Sequence, residues 1–325
     1  MPGLLDRRLV FVTGKGGVGK STVATALGIV AARRGRRTIV VELASQQRVR
    51  RSLDGAGSGG SEPFHELELM PELFTISVDP QLAMEEYLRI KTGAVGQVLG
   101  SSRLFQAFAM ATPGMRELLS IGKVWELAQL ERRTRGAAPY DLVLVDAPAT
   151  GHGVGFLRTP RTFAEIARIG PIAHQARTIA ATIADREFTG VVAVSTPEEM
   201  PVNQALSIHE LLTSEGPELE LMILNARYPE RFTDGEVPLL RAAAERAGTS
   251  LAAAALSGAL SEAQRAHAQR EQRSRLADAV GERLIELPLV FCERLGKPEL
   301  ERLADVLAER LDEVEEGAMR AGASS

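Results

Sequence analysis

The sequence predicts an α/β fold: a mostly parallel central sheet flanked by helices, with helical insertions. Three observations point there. Short apolar runs alternate with longer helical patterns, as strands and crossover helices do. Several of these runs are apolar on both faces, which suits strands covered on both sides. The first run passes through a glycine-rich turn directly into a helical pattern.

LVFVT (9–13) is the first strand candidate, and a helical pattern follows over 20–34. TIVVEL (38–43) and LFTISVD (73–79) come next, separated by GAGSGGSEP (55–63), whose glycines and serines read as a surface loop. Residues 80–135 are mostly helical in pattern, break at Thr112-Pro113-Gly114, and are much longer than a minimal crossover. DLVLVDA (141–147) returns to the sheet, and a second helical insertion covers 160–186. GVVAVST (190–196), a helix over 199–214, ELMILNA (220–226), a helix over 236–247, RLIELP (283–288) and a helix over 298–315 follow. The expected organisation is a single domain spanning 1–325, with a sheet of about seven to eight strands and a small, polar, disordered tail at 316–325.

The 325 residues are 45% hydrophobic and 25% charged, enough material for a sizeable core. The net charge of -4 argues against a broad nucleic-acid surface, which shows as a basic excess. Cys292 is the only cysteine, so this chain alone cannot build a disulfide, a CxxC zinc clamp or a two-cysteine cluster site; it reads as a small packed residue. The N-terminal run lacks the apolar stretch and cleavage site of a secretion signal. No apolar run approaches the roughly 18 residues of a membrane span. These features predict a cytoplasmic protein without an integral membrane segment or a nucleic-acid partner.

The stretch TGKGGVGKST (13–22) carries the chemistry. Gly14-x4-Gly19-Lys20-Ser21 satisfies the Walker A pattern, with a strand before it and a helix after it, so the chain reads as a P-loop NTPase. Gly14, Gly16, Gly17 and Gly19 let backbone N–H groups approach phosphate oxygens, with Val18 and Thr22 completing the loop and the helix N-terminus facing the same anion. Lys20 is expected to reach the β- and γ-phosphates of ATP, and the Ser21 hydroxyl to ligate Mg2+. Asp146 ends the apolar run LVLVD, where a second magnesium-holding group belongs. Lys15 is an extra cation in the loop. On the residues alone it could serve its own phosphates, a neighbouring subunit or only solvent.

KGGVGKST resembles the deviant Walker A motif of the ATPases that include division-site, plasmid-partition, nitrogenase-iron-protein, arsenite-pump and tail-anchored-protein-targeting groups. The resemblance implies that Lys15 reaches across a dimer to the partner's nucleotide, like an arginine finger. After Asp146, the run Thr150-Gly151-His152 with Phe156-Leu157 and Pro160 resembles the second switch of the arsenite-pump and targeting family. Asn225 is similar to that family's adenine-recognising asparagine, though an asparagine opening a turn is the alternative. PLVFCERLGKPEL (288–300) is similar to its base-covering loop. The match spans Leu9 to about residue 310, with details nearest the single-domain, actinobacterial-type arsenite-pump-like ATPases. It implies an ATPase paired with itself or a paralogous subunit.

After Asp146 the run is Ala-Pro-Ala, so the middle of the second switch is permuted, and the likeness fails in two further places. The family's first-switch aspartate, which positions the attacking water, would fall near Ala44, and no acid lies between Ala44 and Gln47. Glu42 either substitutes for it or serves sheet packing or the magnesium shell, so turnover is expected to be slow or to depend on Glu42. The cysteines of the family's metalloid and zinc sites are also missing. The cargo is therefore undefined. Residues such as Leu82, Met84, Leu88, Phe105, Phe108, Met115 and Leu119 would suit an apolar helix or membrane-protein segment, but helices also need apolar faces simply to pack. Two alternatives stand beside the cargo switch: a nucleotide-dependent interaction module with very slow turnover, and a partition- or division-site-type positioning ATPase.

Overall fold

The computed structural model describes residues 3–43, 48–54, 64–100, 112–133, 136–148, 155–167, 170–215 and 217–323. Eight strands form one sheet: β1 (Leu9–Gly14), β2 (Thr38–Glu42), β3 (Leu67–Met70), β4 (Leu73–Ser77), β5 (Leu142–Asp146), β6 (Thr189–Ser195), β7 (Glu218–Arg227) and β8 (Leu284–Pro288). Their spatial order is β3-β4-β2-β5-β1-β6-β7-β8. Every neighbouring pair is parallel except the edge pair β3–β4. The helices are α1 (Lys20–Arg33), α2 (Arg48–Asp54), α3 (Pro80–Gly100), α4 (Met115–Leu127), α5 (Gly155–Ala167), α6 (Pro171–Ala184), α7 (Glu199–Glu215), α8 (Val237–Arg246), α9 (Ser250–Val280) and α10 (Lys297–Ala323). The sequence-predicted α/β class with a mostly parallel sheet is what the structure has.

Side-chain alternation along the strands divides the core in two. Leu9, Phe11, Ile39, Val41, Val143 and Val145 face one side, buried with residues of α4, α5, α6, α7 and α9. Val10, Val12, Val40, Leu142 and Leu144 face the other, buried against α1 and α10. Because α1 lies between the sheet and α10, most of its residues are buried on either side.

Three elements escaped the sequence reading, the seven-residue α2 among them. β3 is four residues of partly exposed edge strand, too short to show alternation. α9 spans 31 residues, but its buried stripe is Ala263, Ala266, Gln269, Leu276 and Val280, mostly residues that no hydrophobic pattern marks. α10 continues to Ala323, so residues 316–323, where fraying was expected, are placed in helix.

Candidate functional site

The phosphate loop joins β1 to α1 at the carboxyl end of the sheet's central strand. Gly14, Gly17 and Gly19 have φ of 146°, 90° and 93°, in a region that side chains with a Cβ rarely enter. Two of them are also sterically fixed. A Cβ on Gly14 would strike the Val194 carbonyl of β6, and one on Gly19 would strike Nδ2 of Asn225. Gly19 is the N-cap of α1, which leaves the first N–H groups of that helix pointing at the loop.

Lys20 is buried, at 8% exposure, and its Nζ donates to the Lys15 carbonyl at 2.9 Å. Burial pushes its ammonium below the ordinary value, against the pull of Asp146. The Ser21 hydroxyl donates to Asp146 Oδ2 at 2.5 Å. Asp146 Oδ1 is buried without a partner among the described residues. Burial raises the Asp146 carboxyl, while Ser21 and the charges of Lys20 and Arg48 act the other way. A buried, orphaned carboxylate oxygen beside a serine hydroxyl is the donor set a magnesium ion takes when phosphates and water supply its other ligands. The residues present therefore fit magnesium and a polyphosphate.

Glu42 lies in register with Asp146 across the β2–β5 pair and is 3% exposed. Its Oε1 accepts from the backbone N–H of Arg48 at 2.6 Å and of Val49 at 3.3 Å, fastening the start of α2 to β2. Its carboxyl is pushed up to about 7, first by burial and also by the Asp146 charge, against those two hydrogen bonds.

Asn225, near the end of β7, donates from Nδ2 to the Val18 carbonyl at 2.9 Å, bracing the phosphate loop. Lys15 is half-buried, and among the described residues its ammonium has no hydrogen bond or ion pair. A cavity of about 380 Å³ opens over the loop, lined by Gly17, Gly19, Lys20, Ser21, Thr22, Arg48, Arg51 and Ser52. Gly16, also expected at the phosphates, is exposed where the chain turns between β1 and α1, and it does not line this cavity. Arg48, Arg51 and Ser52 were not among the sequence-predicted site residues. The run RVRR stands directly after the first-switch stretch, where the family resemblance points to an acid rather than a base.

The structure thus gathers Gly14, Gly17, Val18, Gly19, Lys20, Ser21, Thr22, Asp146 and Asn225 around one loop, with Glu42 one strand away. The stretch 44–47 and the second-switch residues Thr150, Gly151 and His152 lie outside the described residues, as do Phe105 and Phe108 of the first insertion. The expectation that Cys292 is packed is corrected: it is exposed, on the coil that follows β8. Among the described residues no helix is long and apolar enough to cross a membrane.

The family profile for anion-transporting ATPases matches residues 7–170, from just before β1 through the phosphate loop and Asp146 to the end of α5. The chain is 30% identical over 306 residues to the ATPase BagA of Mycobacterium tuberculosis, covering 87% of each protein. It is 28% identical over 163 residues to the ATPase GET3 of Podospora anserina, covering 48% of this chain and 45% of that one. It is also 22% identical over 274 residues to the ATPase GET3C of Arabidopsis thaliana, covering 70% and 69%. With a phosphate loop whose glycines, lysine and serine meet a strand-end aspartate, and relatives that are ATPases along most of its length, this chain belongs to the anion-transporting ATPase family and is an ATP-hydrolysing enzyme.

Proposed function

We propose that the chain is a dimeric, ATP-driven switch that couples its nucleotide cycle to an apolar cargo. In this reading the loop glycines and the start of α1 hold the phosphates, and Lys20 neutralises the β- and γ-phosphate oxygens. Ser21 and Asp146 are the residues that would hold magnesium, which supplies charge neutralisation between those phosphates when bound. The remaining N–H and the Oδ1 of Asn225 would be left for an adenine edge, since one N–H already braces the loop.

The observation that carries the dimer is Lys15. Its carbonyl is committed to its own Lys20, while its ammonium has no partner among the described residues. A cation held at a phosphate loop but unpaired among the described residues is suited to a neighbour's nucleotide, and a working site then needs a second copy or a paralogue. Support for an apolar cargo comes from a pocket of about 110 Å³ between α3, α4 and α6, lined by Met84, Tyr87, Leu88, Ile90 and Met115 among others. Sedimentation of the full chain with ATP and magnesium, alone and mixed with any paralogue, is expected to show a dimer. A monomer under all those conditions overturns the switch.

A second reading has its own observation. Glu42 is committed to the start of α2, and 44–47 hold no acid, so a water-positioning carboxylate is not evident at the first switch. That favours an interaction module with very slow turnover, and a steady-state hydrolysis assay separates the two.

A further inference from the structure

Arg48 and Arg51 stand out in a chain whose arginines are mostly engaged. Arg7, Arg33, Arg34, Arg132, Arg227, Arg270 and Arg273 all pair with carboxylates. Arg48 and Arg51 are both exposed, and neither guanidinium has a hydrogen bond or ion pair among the described residues. Three residues apart on α2, they lie on one side of that helix, and both line the cavity over the phosphate loop.

Their position within the site follows from the strands. Glu42 ties the first residues of α2 to the end of β2, next to Asp146 on β5, which in turn holds Ser21. Arg48 is close enough to act electrostatically on both Lys20 and Asp146. The loop and the start of α1 would surround the inner phosphates. If Ser21 and Asp146 hold magnesium, the β- and γ-phosphates would lie beside that pair, and α2 would then flank the outer end of the site. Lys20, Arg48 and Arg51 against Asp146 leave about two positive charges there. That complements the roughly two negative charges of magnesium–ATP better than the single one of magnesium–ADP.

We propose that Arg48 and Arg51 are a cis arginine pair that grips the terminal phosphate, making this site prefer ATP over ADP and stabilising the charge of the transferring phosphoryl group. The proposal rests on the nucleotide site described above and adds residues to it. Two guanidinium forks can match the terminal phosphate's three oxygens, which the more compact ammonium of lysine does less well. They come from the same chain as the loop and work separately from Lys15, which is assigned to the partner.

The test compares Arg48→Ala, Arg51→Ala, the double variant and both lysine replacements with the parent chain. Binding of ATP and of ADP, each with magnesium, and single-turnover hydrolysis are measured, with thermal melting as the folding control. Each alanine change is expected to weaken ATP binding by about tenfold while leaving ADP within about twofold, and the double variant to slow cleavage by about 10²-fold or more. The lysine variants are expected to recover part of the loss. Equal loss for ATP and ADP, or no loss of either in a variant that melts like the parent, overturns the pair. A parent chain that binds neither nucleotide defeats the nucleotide site itself, which is a different failure.

Discussion

For Glu42, two roles predict different mutants. If the carboxylate positions the attacking water, Glu42→Gln should lower single-turnover cleavage by about 10²-fold or more. The geometry favours the other role. Oε1 accepts two backbone N–H groups at the start of α2, and a glutamine oxygen can accept them too. Glu42→Gln is therefore expected to stay within a few-fold of the parent in single-turnover ATP cleavage. Glu42→Ala strands two donors and is expected to cost about 1–3 kcal/mol by chemical denaturation, loosening α2. A collapse of cleavage in the glutamine variant at unchanged stability would return Glu42 to the water-positioning role.

The helical insertion and the sheet edge are joined by buried charges. Arg132, which follows α4 and has its side chain 1% exposed, pairs with Glu126 of α4 and with Glu66 before β3. Glu126 also takes Lys123, which reaches Glu86 on α3, while the Tyr140 hydroxyl donates to Glu66 at 2.6 Å. Burial works against ionising Glu66, but hydrogen bonds from Arg132 and Tyr140 outweigh it and hold the carboxyl below its ordinary value. For Glu126 burial is likewise outweighed, by Lys123 and Arg132. Removing Arg132 leaves Glu126 ion-paired with Lys123 alone and the partly exposed Glu66 with the Tyr140 hydroxyl alone, so Arg132→Met is expected to cost about 1–3 kcal/mol in chemical denaturation at neutral pH. The folded chain binds these two protons more weakly than the unfolded chain. Their stabilisation is in full force above the ordinary carboxyl value of 4.5 and is lost as pH falls through the lower folded values. The gap between Arg132→Met and the parent should therefore narrow in acid; a gap independent of pH would show that the pairing contributes little.

Docking of α10 on α1 uses two kinds of contact of unequal weight. Arg33 and Arg34 reach Asp305 and Asp312 at 2.6 and 2.7 Å, but both acids are more than half exposed. Exposed pairs of this kind contribute about 0–1 kcal/mol. Leu300, Leu303, Leu307 and Leu311 are buried in the same seam, and truncating one such leucine costs about 2–5 kcal/mol. Leu307→Ala is expected to lower the melting temperature well below that of Arg33→Ala, and the reverse order would mean that the charges hold α10.

At the scale of the whole molecule the question is whether one chain completes a site. With Lys15 serving the partner, Lys15→Ala should preserve ATP binding and lower turnover by roughly 10³-fold, in line with other cations supplied from a second chain. Mixing Lys15→Ala with a chain disabled at Asp146, as Asp146→Asn, sharpens this. A mixed dimer then has one site with an intact Asp146 facing an intact partner lysine, so activity is expected to reappear. No recovery in a mixture shown to exchange subunits would place Lys15 in its own site.

Local pattern by itself determined the phosphate loop, the strand carrying Asp146, the second lysine and the alternation of strands with helices. Each is written within about ten consecutive residues, and backbone sterics and side-chain period act over that range. Tertiary structure decided the rest. It set Glu42 beside Asp146, passed the Asn225 amide to the Val18 carbonyl, brought Arg48 and Arg51 over the loop, and gathered Glu66, Glu126 and Arg132 into one charged node. Those neighbours come from strands and helices far apart in the chain. A parallel sheet fixes their pairing only when both core faces close around it, because each strand's own sequence favours burial without naming its neighbour.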